Sequence, residues 1–370
     1  MAMENHKPKI REVLTSAVFI IVLGAFFILN IVVPAPTVLE AERRIPAKFP
    51  ELSASTIFSG SFMSKFEDYA ADRFVFRDGF RAMHSFMVFD LYMQGDMSGL
   101  YRSKNVGLGE FKRTNATAFR QSAQKVSNAA GIFDGLDMNI YYSLIPDKSI
   151  YAENYLPGFE LDMVETILSD VLGDYSYIRI ADMLNASDYY KTDLHWNQGK
   201  IAEVADGILS SMDAPLASGS YSSKEAGEFS GVYAGQLALP VAADVMSYAD
   251  VPGLTVTYLS DKTLEFEAGL VYDFERFDGI DPYDMFLGGP QPLIVIENES
   301  APERELYLFR DSFGSSLAPL LAASYSKVYV IDLRYINLML LEMFIDFVPG
   351  SDILFIYSSQ IFNNPSILQA

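Results

Sequence analysis

An α/β fold with a mostly parallel sheet, set behind an N-terminal membrane-crossing helix, is what the order of apolar segments predicts for this 370-residue chain. Short β-branched and aromatic runs alternate with helical patterns before and after residues 214–302, the signature of strands joined by crossover helices. The uncharged stretch from Leu14 to Val33 is, at about 20 residues, long enough to span a hydrocarbon core as a helix. Hydrophobic residues make up 50% of the chain and charged residues 20%, the composition of a globular body rather than of a disordered one.

Taken in order, residues 1–12 are polar and carry Lys7, Lys9 and Arg11, which marks a cytoplasmic tail. Residues 13–34 then form the anchor, with the bulk of the chain outside the cell membrane. A cleaved signal peptide is the rival reading; the apolar run is longer than a usual signal core, and P-A-P at Pro34 to Pro36 is a poor cleavage site. So long an uncharged stretch at the N-terminus also argues against a buried core helix. Residues 35–96 divide into a tether, where Thr37 to Phe58 mixes prolines with charges of both signs, and amphipathic helices over Phe62 to Met93. There Phe62, Phe66, Tyr69, Phe74, Phe80, Met83, Phe86 and Met87 recur at helical spacing, so these helices pack on the domain or lie near the membrane. His84 belongs to that pattern.

The main domain is expected over 97–370. Helices are predicted over Thr117–Phe133, Leu161–Leu172 and Asn197–Met212, the last capped by Asn197, and strands over Asn139–Ile145 and Tyr177–Ile180. From about 214 to 302 the alternation gives way to Gly, Pro, Tyr and acidic residues, with short strands over Leu254–Leu259, Leu264–Tyr272 and Leu293–Ile296; this reads as an insertion walling a cleft. Alternation resumes with strands at Glu305–Phe309, Lys327–Asp332 and Asp352–Tyr357 and helices at Ser315–Ser324 and Leu338–Phe347. Catalytic loops of such a sheet belong at the carboxyl ends of its strands.

Charge and composition remove several functions. A net charge of -21 argues against nucleic acid, whose phosphates bind clustered Lys and Arg, and against a purely electrostatic grip on anionic lipid. The chain has no cysteine, hence no disulfide, thiolate metal site or cysteine nucleophile. The acidic run Glu275 to Asp284 lacks the ligand spacing and terminal glutamate of an EF-hand loop and reads as a solvated turn. No metal and no cofactor are called for.

Of the 3 histidines, only His195 lies in the main domain, within T-D-L-H-W-N-Q at Thr192 to Gln198. As a base titrating near neutrality it needs a carboxylate to fix its tautomer, and Asp193 stands two positions earlier. The candidate nucleophile is Ser312 in F-R-D-S-F-G, where a strand-like run meets a helix-like one and Gly314 permits a tight turn. The N–H groups of Ser312 and Gly314 at that helix start are candidate oxyanion donors. Arg334, just past a strand, binds a carbonyl or sugar hydroxyl, or pairs with an acidic neighbour. Trp196, the single tryptophan, either stacks on a sugar ring or packs beside the catalytic loop. Lys148 reads as a solvated lysine after a turn proline.

T-D-L-H-W, the later R-D-S-F-G-S-S-L-A-P-L-L and V-I-D-L-R-Y resemble the bacterial DHHW proteins, which are similar in turn to the SGNH-hydrolase-like domains of the alginate O-acetylation proteins. F-E-D-Y-A-A-D-R-F-V-F-R-D at Phe66 to Asp78 and L-I-P-D-K at Leu144 to Lys148 fit the same pattern, so the likeness runs from about residue 60 to the C-terminus and is weakest over the insertion. Leu194 stands where the signature has its first histidine, and the asparagine and glycine blocks of ordinary SGNH hydrolases have no counterpart. The resemblance implies a three-layer SGNH-hydrolase-like domain in which the serine follows the D-x-H pair, matching Asp193, His195 and Ser312. It further implies acetyl transfer to, or ester hydrolysis on, a cell-surface or exopolysaccharide, with a membrane-bound O-acyltransferase as partner. The alternative from another class is a non-catalytic carbohydrate-binding or scaffold protein of a polysaccharide or envelope assembly.

Overall fold

The computed structural model describes residues 10–154, 158–217 and 222–369, so most of the expected cytoplasmic tail, including His6, Lys7 and Lys9, lies outside the described residues. The first element, α1 (Ile10–Val32), has no buried residue and is the one helix among those described that is long and apolar enough to cross a membrane. Its last turns dock. Asn30 Oδ1 accepts the Val75 N–H at 2.9 Å, and the Phe26 ring packs on Phe74 and Phe80 at 5.7 and 5.9 Å. Three short helices follow, α2 (Ala54–Phe58), α3 (Ser61–Asp72) and α4 (Arg77–Phe86). The stretch read as a tether is tied to them: the Arg44 guanidinium forks onto Asp72 at 2.6 and 2.7 Å, and the Ala47 N–H donates to the same carboxylate at 2.8 Å.

A small antiparallel sheet of β1 (Asp96–Met97), β2 (Leu100–Ser103) and β3 (Gly107–Glu110) leads into the body. The chain continues through α5 (Ala116–Ala130), β4 (Asn139–Ile145), α6 (Leu161–Leu172), β5 (Ser176–Tyr177), α7 (Ala202–Ser211), β6 (Ser222–Phe229), α8 (Val232–Leu237) and β7 (Asp244–Asp250). Then come β8 (Leu254–Leu259), β9 (Phe266–Ala268), α9 (Phe274–Phe277), β10 (Leu293–Asn298), β11 (Glu305–Arg310), α10 (Ser312–Leu321), β12 (Lys327–Ile331), β13 (Asp352–Ser358) and α11 (Ser359–Phe362).

The central sheet has 8 strands in the order β5-β4-β13-β11-β12-β10-β8-β9. From β5 to β12 all neighbours are parallel, as the βαβ alternation predicts. Beyond β12, strands β10, β8 and β9 add on antiparallel, so the middle stretch read as an insertion extends the sheet itself. Both faces are covered. Leu306, Leu308, Val328, Val330, Leu354 and Ile356 point to the side of α7 and α10, while Tyr307, Phe309, Ile331, Ile353 and Phe355 point to the side of α5 and α6. Strands buried on two faces read as unbroken apolar runs, and that makes a three-layer α/β/α body.

Some elements differ from the sequence reading for visible reasons. Asn197 does cap a turn, accepting the Gly199 N–H at 3.1 Å, but that turn is a 3-10 piece over Gln198–Lys200 and the α-helix starts at Ala202. The Gln198 side chain is pulled sideways, donating to Ser316 O at 2.6 Å and accepting the Ala249 N–H at 2.7 Å. The strand read over Tyr177–Ile180 keeps ladder register only at Tyr177, with the Ile178 N–H still donated to Tyr142 O, before the chain bends into a 3-10 turn at Ala181–Met183. Leu338–Phe347, read as a helix, is 3-10 over Leu338–Met343.

Candidate active site

Three parallel strands deliver their carboxyl ends to one place. Arg310 of β11 lies opposite Ile356 of β13, which lies opposite Ser143 of β4, so Ser312, Ser358 and Lys148 leave the sheet at the same edge. Ser312 opens α10 with Asp311 as its cap: Asp311 Oδ1 accepts the Phe313 N–H at 3.0 Å and Oδ2 the Ser358 N–H at 2.8 Å. Helix α10 enters almost against β11, and a Cβ on Gly314 would come within 2.4 Å of the Arg310 Cβ. That close approach is why a glycine stands there.

The T-D-L-H-W turn is held from three sides. Asp244 accepts the Lys191 and Thr192 N–H groups at 2.9 and 2.7 Å. The N–H of Gly231 donates to Thr192 Oγ1 at 2.8 Å, where any side chain at 231 would strike the Thr192 carbonyl. Lys148, read from sequence as solvated, is buried: its amine donates to Tyr190 O at 2.9 Å and to Asp193 O at 2.8 Å. It therefore clamps the two ends of the loop that precedes the histidine.

Out of this frame comes one continuous hydrogen-bonded line. Asp193 Oδ1 lies 2.7 Å from His195 Nδ1, and His195 Nε2 lies 2.9 Å from Ser312 Oγ. With Nδ1–H donated to the carboxylate, Nε2 is left as the acceptor for the serine hydroxyl, a tautomer assigned by the network. The imidazole is flanked by Tyr283 at 3.7 Å, stacked within 9°, and by Phe313 at 4.8 Å. Burial alone would raise the Asp193 carboxyl, yet the His195 ring, Arg43 and the Val232 N–H together hold it well below the usual carboxylate range. Burial pushes the Lys148 amine down to about 8, against the pull of Asp193, Asp147 and Asp244. It pushes Asp284, on the loop that carries Tyr283, up to about 6, with Asp281 adding to the effect.

The remaining sequence-derived candidates are placed differently. The Gly314 N–H is already donated to Asp311 O at 3.0 Å, which removes it as an oxyanion donor, whereas among the described residues the Ser312 N–H makes no such bond. Trp196 is fully buried; its indole N–H reaches Phe313 O at 3.1 Å and Ser316 Oγ at 2.8 Å, so it braces α10 and presents no face to a sugar. Arg334 forks onto Asp332 at 2.8 and 2.6 Å, the ion-pair alternative. Among the described residues no cluster of acidic or histidine side chains has the arrangement to hold a metal ion. Two contributors escape sequence reasoning. Tyr283 sits inside the acidic run, and Arg43 lies in the stretch read as a tether; it places Nη1 at 3.3 Å from Asp193 Oδ2. No local pattern distinguishes that arginine from its neighbour Arg44.

The three-layer α/β/α body with its largely parallel sheet has an SGNH-hydrolase-like fold. Solved structures agree. The chain is similar to a DHHW family protein from Eubacterium siraeum (20% identity, TM-score 0.54, covering 71% of this chain and 93% of that one). It is also similar to PatB1 of Bacillus cereus solved with a sulfonyl adduct (18% identity, TM-score 0.59, covering 72% and 97%). The O-acetyltransferase domain of Pseudomonas putida AlgJ matches at 9% identity and TM-score 0.42, over 72% and 92%. The first two likenesses are likenesses of fold. No family model and no curated protein matches the sequence.

Proposed function

We propose that this chain is a membrane-anchored, extracytoplasmic acyl transferase or esterase, of acetyl groups in the first instance, acting on a cell-surface or exopolysaccharide through Ser312, His195 and Asp193. The observation that carries the reading is the unbroken line of short contacts from Asp193 through His195 to Ser312 Oγ. A sulfonyl adduct on the similar PatB1 is in keeping with it. The polysaccharide and the membrane-bound O-acyltransferase partner come from the motif resemblance to the alginate O-acetylation proteins. Anchoring draws on α1, on the exposed Phe76 ahead of α4, and on the exposed Phe80, Met83 and Phe86 of α4, of which Phe80 touches Phe26 of α1.

In the reaction, Ser312 Oγ attacks the ester carbonyl as His195 Nε2 takes its proton, and Asp193 stabilises the imidazolium. The oxyanion meets the Ser312 N–H and the positive end of α10. Collapse breaks the ester bond, His195 protonates the departing alcohol, and the acyl group remains on Ser312. His195 then deprotonates a sugar hydroxyl or water, which attacks the acyl-serine and frees the serine. Treating the full chain in detergent with p-nitrophenyl acetate and mapping acetylation by mass spectrometry tests this. Label is expected on Ser312, lost in S312A and at least 100-fold slower in H195A, the scale of a missing general base. An S312A chain that releases nitrophenol as fast as the wild type overturns it in favour of a carbohydrate-binding or scaffold role.

A further inference from the structure

The segment between α1 and the domain contributes a side chain to the catalytic pair. Residues 39–44 form a tight turn in which the Leu39 N–H donates to Arg44 O at 2.9 Å, and Arg43 takes a left-handed φ of 52°. That backbone is unusual for a residue with a side chain and needs surrounding contacts to hold it. The contacts are present. Glu42 pairs with Arg77 and Arg81 of α4, Arg44 with Asp72 of α3, and the Ala41 carbonyl sits where a Cβ on Gly235 of α8 would fall.

So held, Arg43 reaches inward, with its side chain 9% exposed. Nη1 lies 3.3 Å from Asp193 Oδ2 and 2.7 Å from Asp281 Oδ1, and Nη2 donates to Ser230 O at 3.1 Å. Three pieces of the site meet on this one group: the carboxylate that orients His195, the loop whose Tyr283 stacks on the imidazole, and the backbone entering α8. That helix in turn supplies the Val232 N–H to Asp193 Oδ2 at 3.0 Å. A carboxylate with no solvent contact needs countercharge on the side away from its histidine, and Arg43 provides it.

We infer that the turn 39–44 is part of the active site and that Arg43 is a positioning residue, fixing the Asp193 carboxylate and the Tyr283 loop relative to each other. The inference rests on the Ser312–His195–Asp193 reading for its effect on rate. Its geometric core is independent of the nucleophile. Acyl transfer by the domain then requires that the membrane-proximal turn stay docked.

The test uses the full chain in detergent, with R43Q, R43K and D281N. One readout is the rate of acetyl trapping on Ser312 from p-nitrophenyl acetate; the other is the downfield proton resonance of the His195 Nδ1–H that donates to Asp193, identified by its loss in H195Q. R43Q is expected to slow acylation roughly 10- to 100-fold, the range seen when a partner that orients a catalytic ligand is lost, and to move the resonance. R43K keeps the charge without the fork and should fall between R43Q and wild type in rate. Should R43Q fail to fold, D281N decides: its side chain lies outside the catalytic pair, and removing the charge that Arg43 meets there must still move the resonance. R43Q at the wild-type rate, R43K no faster than an R43Q of equal melting temperature, or a resonance indifferent to D281N each overturns the inference. A wild-type chain that is never acylated while the resonance still answers to R43Q sinks the nucleophile reading and leaves the positioning role standing.

Discussion

Replacing Lys148 by methionine separates what its charge does from what its bulk does. The amine is buried, 2.9 Å from Tyr190 O and 2.8 Å from Asp193 O, with the Tyr233 ring 5.4 Å away. Its pKa falls from 10.5 to about 8, so at neutral pH holding the proton in the fold costs about 3 kcal/mol at roughly 1.4 kcal/mol per pH unit. Methionine removes that cost but leaves two buried carbonyls without a donor, at about 1–3 kcal/mol each. Near pH 7 the two effects offset to within about 3 kcal/mol. The pH dependence is where they part. Between about 8 and 10.5 the unfolded wild type binds a proton that the folded one has released, so wild-type stability rises with pH across that window, and K148M lacks the rise. Denaturant unfolding of both proteins from pH 7 to 10.5 should show the difference between them growing by about 3 kcal/mol in favour of the wild type. Acylation of Ser312 should fall at least 10-fold in K148M, because the turn holding His195 loses its clamp. Parallel stability curves through that window, or an unchanged acylation rate, refute the reasoning.

Two more outcomes follow from the same geometry. Asp284 is raised from 3.8 to about 6, so the folded state holds a proton that the unfolded chain gives up; wild-type stability therefore declines as pH rises from about 4 to 6. D284N escapes that decline and should be more stable than wild type by about 1–2 kcal/mol above pH 6, after discounting for partial exposure, and no more stable below pH 4; an advantage that persists at pH 4 points to another cause. G314A places its methyl 2.4 Å from the Arg310 Cβ, an overlap no flexible side-chain end can relieve. Overpacking of about 2–3 kcal/mol, the upper part of the usual range for so close an approach, against a helix-propensity gain of about 1 leaves a net loss of about 1–2 kcal/mol, with slower acylation as Ser312 shifts. A G314A chain of wild-type melting temperature contradicts the close approach.

Elements set by local pattern are legible in the order of residues alone. Asn139–Ile145, Leu161–Leu172 and Leu254–Leu259 have the bounds their apolar runs predict, because a strand buried on both faces and a helix buried on one leave distinct periodicities. Asp193 and His195 lie on a loop among 3-10 turns that no periodicity marks, whereas the turn that places Ser312 is legible too, since a strand-like run there meets a helix-like one. Partners set by tertiary contact are not. Arg43 meets Asp193 and Asp281 across most of the chain, and nothing near it in sequence distinguishes it from Arg44. Lys148 looks solvated in sequence because the carbonyls it serves, at 190 and 193, belong to another loop. Trp196 is ambiguous there for the same reason: only packing against α10 settles which way an indole faces.

The two ends of the site are built unequally, and that decides where substitutions bite. The chain carries a net charge of -21, yet Asp193 lies between two cations, Arg43 on its carboxylate side and Lys148 on its carbonyl. Both act on Asp193, and through it on the orientation of His195. At the other end, Phe313 and Gly314 have donated their N–H groups to Asp311, and among the described leading amides of α10 that leaves the Ser312 N–H for the oxyanion of the proposed reaction. A lost oxyanion donor costs about 100-fold or more, so in the proposed reaction the Ser312 N–H and the His195–Asp193 pair both bear on the rate. On that reading the residues that hold Asp193 still, Arg43 from the turn after α1 and Lys148 just past β4, bear on the rate through the orientation of His195.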